Sequence, residues 1–295
     1  MTEISIKYKE LSESDYRLAV RCAPCLVYDK KEPFLPQAIG ISLFYDTQRP
    51  ASLLFYHIRN NLSFKQRLKD YIEAWVMTLY HTLMNDRKTD PKPFALYKFY
   101  NNRPQPVLMT IRDKWKKNKA EKVIEYAIYY SSDIVHIYDL EHVWVYLNKD
   151  DEIIGVKGTR HGVIMTLYGS ASKIKYQKKH PIVYCTPGKH SNIVDPKQLN
   201  RRILERACGY NYVGKDGVYD VQFFNDKIWK KVREFDPGKE KIREVYRKHY
   251  TFKPTFKMTK YMIPTRKLMK PWYDLMEEIP DRIIKYLKAE VLPYV

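Results

Sequence analysis

The first element that the pattern predicts is a short helix. In LSESDY (residues 11–16), Ser12 or Ser14 can accept a backbone N–H and cap a helix running to about residue 19. Short apolar runs follow at 25–28 and 38–45, separated by prolines that hold the chain extended. A further run at 52–58 also reads as a strand. Between 63 and 84 the period changes. Phe64, Leu68, Ile72, Trp75, Leu79 and Leu83 recur at helical spacing, so an amphipathic helix is predicted there, with Ser63 as its cap. Residues 94–100 and 105–109 read as short strands, and 112–122 as a basic surface segment.

From residue 123 onward, strands dominate. VIEYAIYY (123–130) is continuous enough to be buried on both faces, HVWVYL (142–147) is its neighbour, and NKDD (148–151) turns the chain back into 153–157. Shorter strands are predicted at 173–176 and 181–185. Short strands punctuated every 8–12 residues favour a mainly β fold, a β-sandwich, over an alternating α/β chain. Beyond residue 195 the pattern turns helical and basic. Segments 196–208, 227–235, 239–250 and 279–292 read as helices, with Pro264, Pro271, Pro280 and Pro293 dividing the tail into short pieces. No flexible linker precedes this region. The organisation expected is therefore a sandwich over 1–195, with the 63–84 helix inserted, and a basic helical extension over 196–295 packed on it.

Composition adds a charge argument. The chain has 295 residues, 53 Lys and Arg against 34 Asp and Glu, and a formal charge of +19. This suits anionic partners such as a small anion, a glycan, a lipid headgroup or nucleic acid. The basic residues are dispersed, however, and no nucleic-acid recognition motif appears. The four cysteines do not form a zinc ribbon, because Cys22-Ala-Pro-Cys25 lacks a second close pair. No apolar leader opens the chain and no run is long enough to span a bilayer, so a cytoplasmic location is expected.

Candidate chemistry concentrates between residues 124 and 192, where five of the eight histidines fall. On an extended strand Asp139 and Glu141 project to one side, with Val143 and Val145 continuing that face inward. Two adjacent carboxylates favour either a shared proton or a cation between them. His136, placed on the loop entering the strand, can close over the same point. Asp133, His161 and His190 are further donors nearby in sequence. Mixed carboxylate and imidazole ligands suit a divalent ion such as Mg, Ca, Mn or Zn. The alternative is a polar strand end satisfied by backbone and water.

These residues also carry a resemblance. DLEHV at 139–143, a later His161-Gly162, HPIVY at 180–184 and GKHSN at 188–192 resemble the vacuolar-protein-sorting-62-like family. So does the opening RCAPCL…EPFLP at 21–36. A more distant similarity links the chain to the necrosis- and ethylene-inducing proteins, whose G-H-R-H-D-W-E heptapeptide places its first His, Asp and Glu on His136, Asp139 and Glu141. The heptapeptide's other positions are here Val135, Ile137, Tyr138 and Leu140. The resemblance implies a sandwich with a divalent-cation site at His136, Asp139 and Glu141.

Two metal-based readings of function follow. In one, a metal-dependent hydrolase acts on an anionic or glycan substrate, with His161 or His190 as general acid or base and Lys157, Arg160 and Lys189 holding the anion. In the other, the same ion bridges to a glycan or lipid headgroup without chemistry. Nucleic-acid binding through the basic surface is a third reading.

Overall fold

A computed structural model describes residues 11–45, 120–160, 163–218 and 226–295. The strands expected at 52–58, 94–100 and 105–109, the 63–84 helix, nearly all of the basic segment before residue 122, and the candidate base His161 lie outside the described residues.

Helix α1 (Glu13–Cys22) starts where predicted. Ser12 Oγ accepts from the Asp15 N–H, and the Asp15 carboxylate accepts from the Ser12 N–H at 2.8 Å, so two otherwise unpaired donors are satisfied reciprocally. Its inner face buries Tyr16, Ala19 and Cys22. Strands β1 (Cys25–Asp29), β2 (Ala38–Tyr45), β3 (Lys122–Ser132), β4 (His136–Leu147), β5 (Ile153–Arg160), β6 (Val163–Tyr168), β7 (Tyr176–Gln177), β8 (His180–Cys185), β9 (Asn192–Ile193) and β10 (Gly217–Val218) follow. Two more, β11 (Met258–Met262) and β12 (Met269–Pro271), come from the C-terminal region. The helices there are α2 (Arg201–Ala207), α3 (Asp226–Arg233), α4 (Lys239–His249) and α5 (Trp272–Tyr286). No helix among the described residues is long and apolar enough to cross a membrane.

The fold is mainly β, with two sheets. The larger runs β12-β2-β3-β4-β5-β6, with β10 beside β4; the smaller runs β11-β1-β8-β7, with β9 beside β8. Alternation along β3 sorts its residues between two cores. Ile124, Tyr126, Ile128 and Tyr130 face inward with Val143 and Val145 of β4, and meet Leu26, Tyr28, Val183 and Cys185 of the smaller sheet. Ala127 and Tyr129 point the other way, into a core shared with Ile242, Val245 and Tyr246 of α4 and Leu275 and Ile279 of α5. Burying such side chains fully contributes about 1.5–3 kcal/mol each, so both faces of the larger sheet drive folding.

The C-terminal region does more than pack on the sandwich. β11 pairs antiparallel with β1, Leu26 opposite Met262, and β12 pairs parallel with β2, Met269 opposite Ile39. Each sheet thus receives an edge strand from the tail. Pro280, expected to divide short tail helices at the start of the 279–292 segment, lies within α5. An interior proline costs about 3 kcal/mol, and the burial of Leu275, Ile279 and Ile283 offsets it. The helix also docks very closely: a Cβ at Gly40 would lie 2.5 Å from the Trp272 ring. The four cysteines are buried, free thiols, in keeping with small apolar packing residues.

Candidate functional site

Topology assembles the site. β1 and β8 run parallel, Cys25 opposite Ile182, so the segments that follow them leave at one end of the smaller sheet. The first carries Glu32 and the second is the loop 186–191. The β3–β4 turn reaches the same end and is built by Asp133, whose Oδ1 accepts from the Val135 and His136 amides at 2.7 and 2.8 Å. The turn and the loop are sewn together by the Ile134 N–H donating to Gly188 O at 2.7 Å. Gly188 has φ +69°, and a Cβ there would sit 2.8 Å from Cys208 Sγ and 2.9 Å from Ile134 Cβ, so the position requires glycine.

His190 is the centre of this arrangement. It is fully buried and takes a left-handed φ of 55°. Nδ1 lies 2.8 Å from Asp139 Oδ2 and Nε2 lies 3.4 Å from Glu32 Oε1. Its ring stacks on Tyr130 at 3.8 Å with planes 3° apart, and Tyr130 OH meets Tyr28 OH at 2.8 Å. The other oxygen of Glu32 accepts from the Gly188 amide at 2.7 Å. Burial alone would lower the His190 pKa, but the bonds to Asp139 and Glu32 prevail and hold it up at about 10, so the ring is an imidazolium clamped between two carboxylates.

A second group adjoins the first. Lys189 Nζ donates to Asp133 Oδ2, and His136 Nε2 lies 3.3 Å from the same oxygen. Burial pushes the Asp133 carboxyl up, yet His136 and Lys189 beside it bring it down to about 2. His136 opens β4 rather than sitting on a loop before it, and its Nδ1 donates to Tyr138 O at 2.9 Å. Ile137 and Tyr138 both enter the outer core, a break in alternation at which Tyr138 adopts φ 74°. That break turns His136 toward Asp133. The four residues expected to share one cation therefore divide: Asp139 and Glu141 lie along the inner face of β4, whereas Asp133 and His136 pair in the turn.

Glu141 is 4% exposed and accepts from the Thr159 hydroxyl, which in turn accepts from the His142 amide at 2.7 Å. Burial and the neighbouring Asp139 push its pKa well above the usual carboxylate range, with the Thr159 bond opposing. Asn192 Nδ2 donates to Thr159 O and His142 O, both at 3.1 Å, and leaves its own Oδ1 buried with no partner. Solvent reaches the cluster at His136, Asp139 and Lys189, whose side chains are 12%, 14% and 17% exposed.

Among the described residues no group of three or more His, Cys, Asp or Glu side chains is set to hold a metal ion. The reason is local: His190 fills the space between Asp139 and Glu32, and Asp133 is saturated by Lys189, His136 and two amides. Tested against a cation, the donor set fits in part. Asp139 and Glu141 supply the oxygens a hard divalent ion takes, whereas Asp133 and His136 are spent elsewhere. Lys189, expected to hold an anion, serves Asp133. Lys157 lies opposite Trp144, with its ammonium over the Tyr146 ring at 5.7 Å, on the face of the sheet away from Val143 and Val145. His180 lies at the other end of β8, with Nδ1 2.8 Å from Ala23 O. Tyr130 and Thr159 were not singled out by sequence, and Glu32 and Asn192, which lie in the EPFLP and GKHSN segments, were given no role there; only the topology brings them here. No family model, curated protein or solved structure matches the chain.

Proposed function

We propose that the protein binds a divalent cation between Asp139 and Glu141 at this end of the sandwich, and that the ion holds an anionic or polyhydroxy ligand such as a glycan or lipid headgroup. One observation carries the reading. Four buried or nearly buried carboxylates, Glu32, Asp133, Asp139 and Glu141, face two fixed cations, Lys189 and the His190 imidazolium. Burying excess charge is costly unless it is neutralised. A proton on Glu141 relieves part of that cost; a dication at the Asp139–Glu141 pair, displacing that proton, would balance the two remaining charges. Asp139 and Glu141 keep lone-pair capacity beyond their present partners, unlike the saturated Asp133. The resemblance to necrosis-inducing proteins points to the same pair of acids. Mg, Ca or Mn suits these oxygens better than Zn once His136 is turned away.

The geometry favours binding over hydrolysis. His190 has both ring nitrogens on carboxylates and no exposed surface, so it is not placed to exchange a proton with a ligand. At the opening, the partly exposed Lys189 ammonium, held on Asp133, lends positive charge near an anion that the ion anchors. The test is calorimetric titration of chelator-treated protein with CaCl2, MgCl2 and MnCl2, repeated on Asp139→Asn. The expected result is one ion bound by the wild type, weakened at least tenfold in the variant. Saturable binding unchanged by Asp139→Asn, or no binding at millimolar ion, refutes the proposal.

A further inference from the structure

A second surface, independent of the cation reading, is built from α2, the loop 208–217 and α4. In the sequence its basic residues are dispersed over more than forty positions. The fold gathers them. Within α4, Arg243 and Arg247 are four residues apart and so share one face, and the loop lies across them. Arg243 Nη2 donates to Asn211 O at 2.6 Å and Arg247 Nε to Tyr210 O at 3.2 Å. The loop is also fixed from beneath, by the Gly214 N–H to Ile134 O at 2.9 Å and the Asp216 N–H to Val135 O at 3.0 Å.

On this framework tyrosines and cations alternate. The Arg247 guanidinium lies 4.6 Å from the centre of the Tyr210 ring, which is 59% exposed. Arg206 lies over the Tyr212 ring at 4.5 Å and donates to its hydroxyl, and Lys215 approaches the same ring at 5.5 Å. Guanidinium stacking orders each ring before any ligand arrives, which lowers the entropy lost on binding. Flat rings held beside positive charges match the two repeating parts of a single-stranded nucleic acid, its bases and its phosphates.

We infer that this face binds single-stranded nucleic acid without strict sequence preference, the bases stacking on Tyr210 and Tyr212 and the phosphates lying along Arg206, Lys215, Arg243 and Arg247. Acids stand on the same elements, at Glu205, Asp216, Glu240 and Glu244, and weaken attraction to a broad anionic bilayer, whereas exposed rings favour a strand with free bases. A rigid duplex keeps its bases stacked internally and cannot use the rings.

The experiment is fluorescence anisotropy with a labelled 15-nucleotide oligo-dT at 50 mM salt, using the full chain. Controls are the same length of duplex and vesicles containing phosphatidylserine. Binding to the single strand is expected, with the duplex weaker. Tyr210→Ala is expected to weaken it about tenfold, as loss of one stacked base does. Arg206→Gln and Arg247→Gln should each reduce the slope of log affinity against log salt by about 0.7. All three positions are at the surface, and unchanged melting of each variant shows that the fold is kept. The inference is overturned if no single strand binds, if the duplex or the vesicles bind as tightly, or if Tyr210→Ala leaves the affinity unchanged.

Discussion

Replacing His190 by Gln removes the cation between Asp139 and Glu32. The ring is fully buried, lies 2.8 and 3.4 Å from the two carboxylates, and stacks on Tyr130. Its pKa rises from 6.5 to about 10 on folding. Because the folded value is the higher one, its stabilisation is complete below pH 6.5 and disappears as pH rises through about 10. Between those limits the slope is about 1.4 kcal/mol per pH unit, or roughly 4–5 kcal/mol in all. Breaking a buried pair by removing one partner costs about 3–5 kcal/mol, which agrees. Urea denaturation of wild type and His190→Gln, at half-unit steps from pH 6 to 10, measures the difference directly. The variant should be about 4 kcal/mol less stable at pH 6, and the two curves should converge toward pH 10. A constant gap across that range would refute the imidazolium assignment, because only packing would then have been lost.

Gly188→Ala should destabilise by about 2 kcal/mol or more, since it combines a left-handed φ with close contacts to Cys208 and Ile134; thermal melting reads this, and wild-type stability would contradict the loop geometry. Asp133 has a folded pKa of about 2 against 3.8, so its roughly 2 kcal/mol of stability is present above pH 4 and lost as pH falls through about 2. Asp133→Asn should abolish that acid-limb loss while lowering neutral-pH stability by about 3 kcal/mol, because the largely buried Lys189 and His136 lose their carboxylate. Denaturation from pH 2 to 7 checks both.

Local rules carried a definite part of this structure. The α1 capping box, the alternation that turns Asp139, Glu141, Val143 and Val145 to one side, and the Asn148 turn, where Asn148 Oδ1 accepts from the Asp150 and Glu152 amides at 2.9 Å, depend on neighbours in sequence. What could not be read depends on distant pairings. Glu32 meets His190 across 158 positions because β1 and β8 are parallel, a pairing with no local signature. β11 and β12 are short, their identity given only by the sheet edges they join. Pro280 reads as a break between short tail helices, and only the buried face of α5 carries the helix through it. The separation of His136 from Asp139 arises at Tyr138, a residue whose type does not announce a left-handed backbone. The aromatic–basic face was hidden for a related reason: Arg206, Tyr210 and Arg247 become neighbours only once α4 lies against the loop.

The most direct test is to soak crystals in MnCl2 and record anomalous diffraction. One peak is expected about 2–2.6 Å from carboxylate oxygens of both Asp139 and Glu141, with His136 still directed at Asp133. A peak at Asp133 and His136 instead, or none at the Asp139–Glu141 pair with His190 still bridging Asp139 and Glu32 at 10 mM ion or above (about the ceiling for a meaningful site), would contradict it.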